Sequence, residues 1–227
     1  MAHTPLLLSL FFLLTTLVAL FFIAKATNNS RVVLFVCIGW LVLQSVVALS
    51  GFYAISTGFP PRFLLAIVPP VLAIIISLFT GGGRRFLNSI DLKWATLLHS
   101  VRMLVEITLY FLYVYRTAAV QVSIEGGNID FFAGLTAPIL WWAYSKGHVG
   151  RKGLLIWNFI CLATLGNAVV RAVLSAPFPF QRFGFDQPTV AILYFPFVLL
   201  PAFIVPCVLL SHVAVIRKLI NNKVFAA

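Results

Sequence analysis

Seven apolar segments separated by short polar ones make up most of the chain. Six of them are long enough to cross about 30 Å of hydrocarbon as an α-helix that rises 1.5 Å per residue. The pattern therefore predicts an all-α fold, a polytopic transmembrane helical bundle of seven spans formed by one domain, residues 1–227. The predicted spans are residues 6–24, 32–56, 63–80, 94–115, 131–144, 154–175 and 190–215.

The fifth segment is short and contains Gly134 and Pro138, so its length alone also allows a re-entrant hairpin. The loop charges favour a crossing. If all seven segments cross, eleven basic residues fall on one side and three on the other; without the fifth crossing this asymmetry nearly vanishes. The crowded side receives Lys25, Arg31, Arg84, Arg85, Lys93, Lys146, Arg151, Lys152, Arg217, Lys218 and Lys223, and the sparse side receives Arg62, Arg116 and Arg182. Basic residues in short loops stay cytoplasmic, which predicts the amino terminus outside and the carboxyl terminus in the cytoplasm.

Composition agrees with a membrane location. The chain is 62% hydrophobic and 9% charged, whereas a soluble domain has about 25% charged residues. A net charge of +11 on a soluble protein would raise the question of nucleic acid. Here the basic residues lie between apolar runs, as in cytoplasmic loops. We therefore expect the lipid bilayer and anionic lipid head groups as partners, and no nucleic acid.

The fourth segment carries three ionisable residues on one helical face, His99, Arg102 and Glu106, at spacings of three, four and seven. An unpaired charge in mid-bilayer costs at least ~2.5–3.5 kcal/mol. We therefore expect Arg102 and Glu106 to point into the bundle and to pair within the helix. Such a pair is either an architectural ion pair or part of a proton relay or ligand site.

The sixth segment carries Asn167 and Arg171 on a shared face. Arg171 lies about one turn from the outer boundary, so it either snorkels to the interface or turns inward. In the second case it joins Glu106 or Asp186 in an outward-facing polar cavity. The sequence thus predicts a ligand- or proton-binding site formed by Arg102, Glu106, Asn167 and Arg171.

Two histidines, His99 and His212, lie at similar depth, ~8 Å from the cytoplasmic boundary by helical rise. A matched pair of this kind is one way to ligate a metal or both faces of a haem. The alternative is a pair of hydrogen-bonded histidines without a metal. No other cofactor is indicated by the sequence.

The two longest outer loops are distinctive. Residues 116–130 contain the turn sequence Glu-Gly-Gly-Asn, and Asp130 is placed to cap the fifth helix. Residues 176–189 contain four phenylalanines, which indicate interfacial anchoring or a lid over an outward-facing pocket. Prolines in the third and seventh segments predict kinked helices. These are Pro69, Pro70, Pro196, Pro201 and Pro206.

Three stretches resemble a family of small seven-span bacterial inner-membrane proteins with no assigned function. They are the run from His99 to Glu106, the Gly-Leu-Thr-Ala-Pro-Ile segment at 134–139, and residues 175–206. The resemblance implies a multi-pass protein of the cell inner (plasma) membrane and nothing about activity.

Three functions fit the sequence. The first is a transporter of a small solute or proton, or a membrane receptor, with a buried polar site. The second is a haem- or metal-binding redox subunit that uses His99 and His212. The third is a structural accessory subunit, which would have an oligomer or membrane-complex partner. The motifs of common hydrolases and nucleotide-binding enzymes are missing from the sequence, so enzyme activity is not predicted.

Overall fold

The computed structural model describes residues 4–55 and 58–221, and this part of the chain contains helices and loops but no strand. The α-helices are α1 (Leu6–Ala26), α2 (Arg31–Leu49), α3 (Leu64–Phe79), α4 (Gly81–Ser89), α5 (Leu92–Leu98), α6 (Val101–Val114), α7 (Asp130–Ser145), α8 (Arg151–Ser175) and α9 (Val205–Ile220). Single helical turns occur at Phe52–Ala54, Val120–Val122, Ile124–Gly126 and Ala191–Leu193, and a π-helical turn at Leu200–Ile204 precedes α9.

Five helical stretches of the described chain are long and apolar enough to cross a membrane. They are α1, α2, α5 together with α6, α8, and the stretch Leu200–Ile220. The pair α3 and α4, bent by 100°, would make a sixth. The all-α prediction is confirmed, and so are several apolar helices of spanning length. Helix α7 has 16 residues and a length of about 24 Å, so a seventh crossing stays a prediction. The predicted end of the second span at Ser56, and Lys223, lie outside the described residues.

Several helix termini meet at one end of the bundle. The amide of Asp91 donates to the carbonyl of Ala26 (2.7 Å), and the ammonium of Lys218 donates to the carbonyl of Ile90. A buried apolar cluster joins the same termini, formed by Ala26, Leu87, Ile90, Ala95, Leu154, Ala214, Val215 and Leu219. We call this end the basic end, because the basic residues beside these termini are Lys25, Arg31, Arg84, Arg85, Lys93, Arg151, Lys152, Arg217 and Lys218.

The bend between α3 and α4 has a local cause. Thr80 lies between the two helices in an extended conformation, and its hydroxyl accepts a hydrogen bond from the amide of Gly83 (3.2 Å). A glycine run opens α4, and glycine has low helix propensity, so α3 does not continue straight through it. Leu87 of α4 is fully buried while Arg84 and Arg85 are exposed, so α4 lies across the basic end.

At the other end, the two long loops bind each other. The carbonyl of Thr117 accepts hydrogen bonds from the amides of Val190 (3.1 Å) and Ala191 (3.0 Å). The amide of Ala119 donates to the hydroxyl of Thr189 (3.1 Å). Ala119 and Thr189 are fully buried. The loop backbone is therefore satisfied inside the protein, as irregular backbone in apolar surroundings must be.

The helix of the seventh predicted span begins ten residues later than expected. The span was expected from residue 190, but regular helical structure begins at Leu200. Residues 191–199 are apolar because most of them lie in the core, Ile192, Phe197 and Val198 among them. Pro196 offers no backbone donor to a helix in this stretch.

The phenylalanines of the second outer loop divide between core and surface. The ring of Phe178 is buried and lies 5.5 Å from the ring of Phe63, whereas 71% of Phe185 is exposed. The loop therefore contributes to the core as well as to the surface. Its role as a membrane anchor or a lid stays a prediction.

Helix α7 begins inside the bundle and packs very closely on α6. A Cβ atom added at Gly134 would meet the backbone nitrogen of Met103. Gly134 is therefore required for the close approach of the two backbones, and it holds the second turn of α7 beside the first turn of α6.

We expect Gly134→Ala to destabilise the protein, because α7 must move away from α6; overpacking of this kind costs about 1–3 kcal/mol. The measurement is the midpoint of thermal unfolding in detergent. The matched control is Gly166→Ala in α8, where an added Cβ meets no atom within 4 Å. Equal midpoints for the two variants would contradict the close packing of α6 on α7.

Candidate functional site

The guanidinium of Arg102 lies at the centre of the bundle, 2% exposed. Its Nε donates to Asp130 Oδ2 (2.7 Å) and its Nη2 donates to Asp130 Oδ1, which makes a bidentate ion pair. Nη2 also contacts the carbonyl oxygen of Cys161 (3.0 Å) and the hydroxyl of Thr164 (2.8 Å). Nη1 lies 3.3 Å from His212 Nε2. Arg102 thus joins α6, α7, α8 and α9.

The predicted pairing of Arg102 with Glu106 is wrong. Within residues 4–55 and 58–221, no hydrogen bond or ion pair joins the two side chains. The predicted cap is wrong as well, because Ile129 occupies the capping position of α7 and makes no side-chain cap bond. The carboxylate of Asp130 is instead matched to the planar fork of a guanidinium, which binds two oxygens at once.

Glu106 has one satisfied carboxyl oxygen and one without a partner. Asn128 Nδ2 donates to Glu106 Oε1 (2.7 Å) and to the carbonyl of Val122 (3.0 Å), and Asn128 Oδ1 accepts from the amide of Asp130 (3.2 Å). In the described chain, Glu106 Oε2 is buried and has no hydrogen-bond partner. Asn128 is 1% exposed. Sequence reasoning missed this residue because its Glu-Gly-Gly-Asn context is typical of a surface turn.

A small cavity lies against the two carboxyl groups. Its volume is about 80 Å³, and Glu106 and Asp130 are the ionisable residues of its lining. The remaining walls are apolar and come mainly from α3, α6, α8 and the start of the π-helical turn. A water molecule takes about 30 Å³, so the cavity holds roughly two or three waters. With one guanidinium and two carboxylates ionised, the site carries one excess negative charge.

The structure brings His99 and His212 together. Their ring centroids are 4.0 Å apart with 33° between the planes. Arg102 only donates, so His212 Nε2 accepts from it, and His212 Nδ1 carries the proton that is donated to Asn158 Oδ1 (3.0 Å). Both nitrogens of His99 are buried without a partner in the described chain, and the rings of His99 and Trp157 form a T-shaped pair with 5.4 Å between their centroids.

This arrangement does not fit the predicted haem or metal site. Axial haem ligation requires the iron and the macrocycle between two imidazoles whose nitrogens point at each other. Two rings stacked at 4.0 Å leave no room for this plane, and both nitrogens of His212 are engaged. In the part of the chain that the structure describes, no group of three or more His, Cys, Asp or Glu residues forms a metal-binding cluster.

Asn167 and Arg171 lie beside the site rather than in it. Arg171 Nε donates to Asn167 Oδ1 (3.0 Å), and Arg171 Nη1 donates to the carbonyl of Gly126 (2.5 Å). No hydrogen bond links Arg171 to Glu106 or Asp186 among the described residues. Arg171 instead holds the turn that precedes Asn128, and so it supports the loop that binds Glu106.

All of the buried polar residues described above lie in a segment with a recognisable family. A family described as Domain of unknown function (DUF8737) matches residues 59–220, more than two-thirds of the chain. The chain belongs to this family. No curated protein and no solved structure matches it. Membership in a family without an assigned function is thereby confirmed, while the seven-span, bacterial inner-membrane character of the predicted family stays a prediction. Helices α3 to α9 and the whole polar site form the DUF8737 segment, and α1 and α2 precede it.

Within the DUF8737 segment, Asp130→Asn should be strongly destabilising, because it leaves the buried guanidinium of Arg102 without a counter-charge; breaking one partner of a buried pair costs about 3–5 kcal/mol. The midpoint of thermal unfolding in detergent measures this loss. The control is Asp186→Asn, which makes the same change at an exposed carboxylate and should leave the midpoint unchanged. The ion pair would have no structural role if both variants melted together.

Proposed function

We propose that the chain is a membrane-embedded, proton-coupled transporter of a small solute, and that Glu106 carries the coupling proton. The observation that carries this proposal is the unpartnered, buried Glu106 Oε2 beside the cavity. An isolated carboxylate in apolar surroundings costs several kcal/mol. Asp130 already neutralises Arg102, so the remaining carboxyl group needs a proton.

The cavity volume favours a proton over a larger ligand. A space of about 80 Å³ holds roughly two or three waters, which suffices to deliver a proton to Glu106. Pockets for small organic molecules are usually about 300–1,000 Å³. The described conformation is therefore one in which the solute is excluded, and the carboxyl group exchanges its proton with cavity water.

A continuous chain of polar groups leads from Glu106 toward the basic end. Asn128 joins Glu106 to the backbone amide of Asp130. The carboxylate of Asp130 pairs with Arg102, which contacts His212. His99, stacked on His212, lies seven residues before Glu106, or ~10 Å along the α5–α6 span. Its unpartnered nitrogens make it a candidate proton acceptor at the far end of this chain.

One wall of the cavity belongs to an irregular helical turn. Leu200 and Pro201, at the start of the π-helical turn, line the cavity together with Val205 of α9. Turns of this kind occur frequently at functional sites, and a proline there leaves a carbonyl without its helical donor. We assign the opening of the cavity to a rearrangement of this turn. Arg171 and Asn167 act as positioning residues for the Asn128 loop.

The proposed location is the inner membrane of a bacterial cell, with the amino terminus outside and seven crossings. It is supported by the grouping of the basic residues at one end of the bundle and by the tendency of such residues to remain cytoplasmic. The end formed by residues 115–129 and 176–199 is then external, and Glu106 receives its proton from that side.

Replacement of Glu106 by Gln should abolish proton binding while preserving the fold, since Gln retains an oxygen that accepts from Asn128. Infrared spectra of the purified protein should show the carbonyl band of a buried, protonated carboxyl group in the unmodified chain. Glu106→Gln should lack this band, and Glu125→Gln, the same change at an exposed residue, should retain it.

The transport arm uses proteoliposomes with a trapped pH-sensitive dye, an imposed pH gradient and a panel of amino acids, sugars and amines. Proton entry should rise with at least one solute for the unmodified chain and for Glu125→Gln, and remain at the protein-free rate for Glu106→Gln. A carboxyl band that survives in Glu106→Gln would overturn the proposal. So would the absence of solute-dependent proton entry with every member of the panel.

Paired reporter insertions test the orientation, one reporter being active only outside the membrane and one only in the cytoplasm. An insertion in residues 115–129 should give the external signal. An insertion in residues 146–150 should give the cytoplasmic signal. External activity from residues 146–150 would mean that α7 does not cross, and cytoplasmic activity from residues 115–129 would reverse the bundle.

A further inference from the structure

A large apolar groove separates α2 from the rest of the bundle. Its volume is about 550 Å³, and its lining comes from α1 to α4, the π-helical turn and α9. Helix α2 forms one wall and fully buries only Gln44 and Ala48, and about half of its residues are exposed. The groove and the cavity at Glu106 have no lining residue in common.

The groove offers no hydrogen-bonding group in need of a partner. The hydroxyl of Ser77 donates to a carbonyl one turn earlier in α3 (2.6 Å). The indole of Trp40 donates to a carbonyl of the π-helical turn (2.8 Å). Two thiols, of Cys37 and Cys207, complete the polar atoms of the lining side chains, and free cysteines behave as small hydrophobes. The part of a ligand that lies in the groove must therefore be apolar.

Two arginines without a carboxylate partner are chain neighbours of groove-lining residues at the basic end. Val32 and Phe86 belong to its lining, and their chain neighbours Arg31 and Arg85 are exposed at the basic end. In the described part of the chain, the one ion pair is that of the buried polar site, so neither arginine has a carboxylate partner. An apolar groove whose lining begins next to two exposed arginines without a carboxylate partner fits an apolar chain with an anionic head.

The dimensions of the groove fit an extended hydrocarbon chain. From Val32 to Leu43 the groove follows α2 for ~16 Å by helical rise. A volume of about 550 Å³ over this length gives a mean cross-section of roughly 34 Å². An extended hydrocarbon chain is narrow enough to lie along the groove between α2 and α3.

We propose that this groove is a binding site for an anionic phospholipid. An acyl chain lies between α2 and α3, and the head-group phosphate binds Arg31 and Arg85. The proposal rests on the membrane location but not on the role of Glu106. The phospholipid then completes the packing of α2 against the DUF8737 segment.

Gly39 offers a test that leaves the arginines intact. It lines the groove, and an added Cβ meets no atom within 4 Å, so Gly39→Leu places its side chain in the space of the acyl chain. Gly166→Leu in α8 is the matched control, because its added Cβ also meets nothing and it lies outside the groove. Each protein is incubated with phosphatidylglycerol or phosphatidylcholine of identical chains and washed in detergent. Retained lipid is then counted by native mass spectrometry.

The unmodified chain and Gly166→Leu should retain phosphatidylglycerol in preference to phosphatidylcholine, and Gly39→Leu should lose it. Arg31→Gln with Arg85→Gln should reduce phosphatidylglycerol retention about 30-fold, because each basic residue contributes about 1 kcal/mol toward an anionic head group and about 1.4 kcal/mol corresponds to a factor of ten. Arg116→Gln with Arg182→Gln removes two exposed arginines elsewhere and should have no such effect.

Three outcomes would overturn the proposal. In the first, Gly39→Leu retains as much phosphatidylglycerol as Gly166→Leu. In the second, both arginine pairs reduce retention equally, which would mean attraction by net charge alone. In the third, the unmodified chain appears as a dimer without lipid and Gly39→Leu makes it monomeric, which would assign the groove to a second copy of the chain.

Discussion

A guanidinium group that lies in apolar surroundings must find its partners within the protein, and the DUF8737 fold is organised around this requirement at Arg102. The group is 2% exposed and binds a carboxylate, a backbone carbonyl, a hydroxyl and an imidazole. These partners come from three other helices. The loop before α7 enters the bundle because Asp130 must reach Arg102, and α7 is short because it begins at that depth. Gly134 then allows α7 to approach α6 closely enough for the ion pair.

The same constraint divides the site into two halves. In one half every charged group has a partner, and in the other a carboxyl oxygen has none. Arg102 and Asp130 satisfy each other, and a well-paired buried charge has little tendency to change state. Glu106, one turn along α6, keeps one oxygen without a partner. The chemistry that we propose is assigned to Glu106 for this reason, while the ion pair holds the neighbouring groups in place. Asn128 connects the two halves through its side-chain amide and carbonyl.

Local pattern predicted the helices well and their irregular parts poorly. The predicted spans 6–24 and 154–175 correspond to α1 (Leu6–Ala26) and α8 (Arg151–Ser175), because long apolar runs bounded by charged or polar residues have few alternatives. Residues 190–199 are equally apolar, yet they form core loops, since a run of this kind has the same composition whether it contacts lipid or protein. The bend at Thr80 depends on a capping hydroxyl and a glycine run, and the pattern of apolar residues does not predict either of them.

Only about half of the site could be predicted from the sequence, for a related reason. Spacing on one helical face was enough to direct Arg102 and Glu106 inward. Matched depth offered a shared site of His99 and His212 only as one alternative, because the sequence does not show which helices face each other; the contact of the two rings is seen in the structure. Their other partners lie in the loop at 115–129, whose depth follows from tertiary contacts rather than from its own composition. Asp130 and Asn128 were therefore read as a helix cap and a turn residue, and Arg171 and Asn167 as cavity residues rather than supports of the loop.

The sequence separations around Arg102 also constrain how the protein is made. Its counter-ion Asp130 follows 28 residues later, but Cys161 and His212 follow after 59 and 110 residues. In the membrane location that we propose, a growing chain that has delivered α6 to the bilayer lacks part of this cation's shell until α8 and α9 have been synthesised. Insertion of α6 is then completed only by late segments, and a nascent chain that ends before α9 leaves the guanidinium without His212.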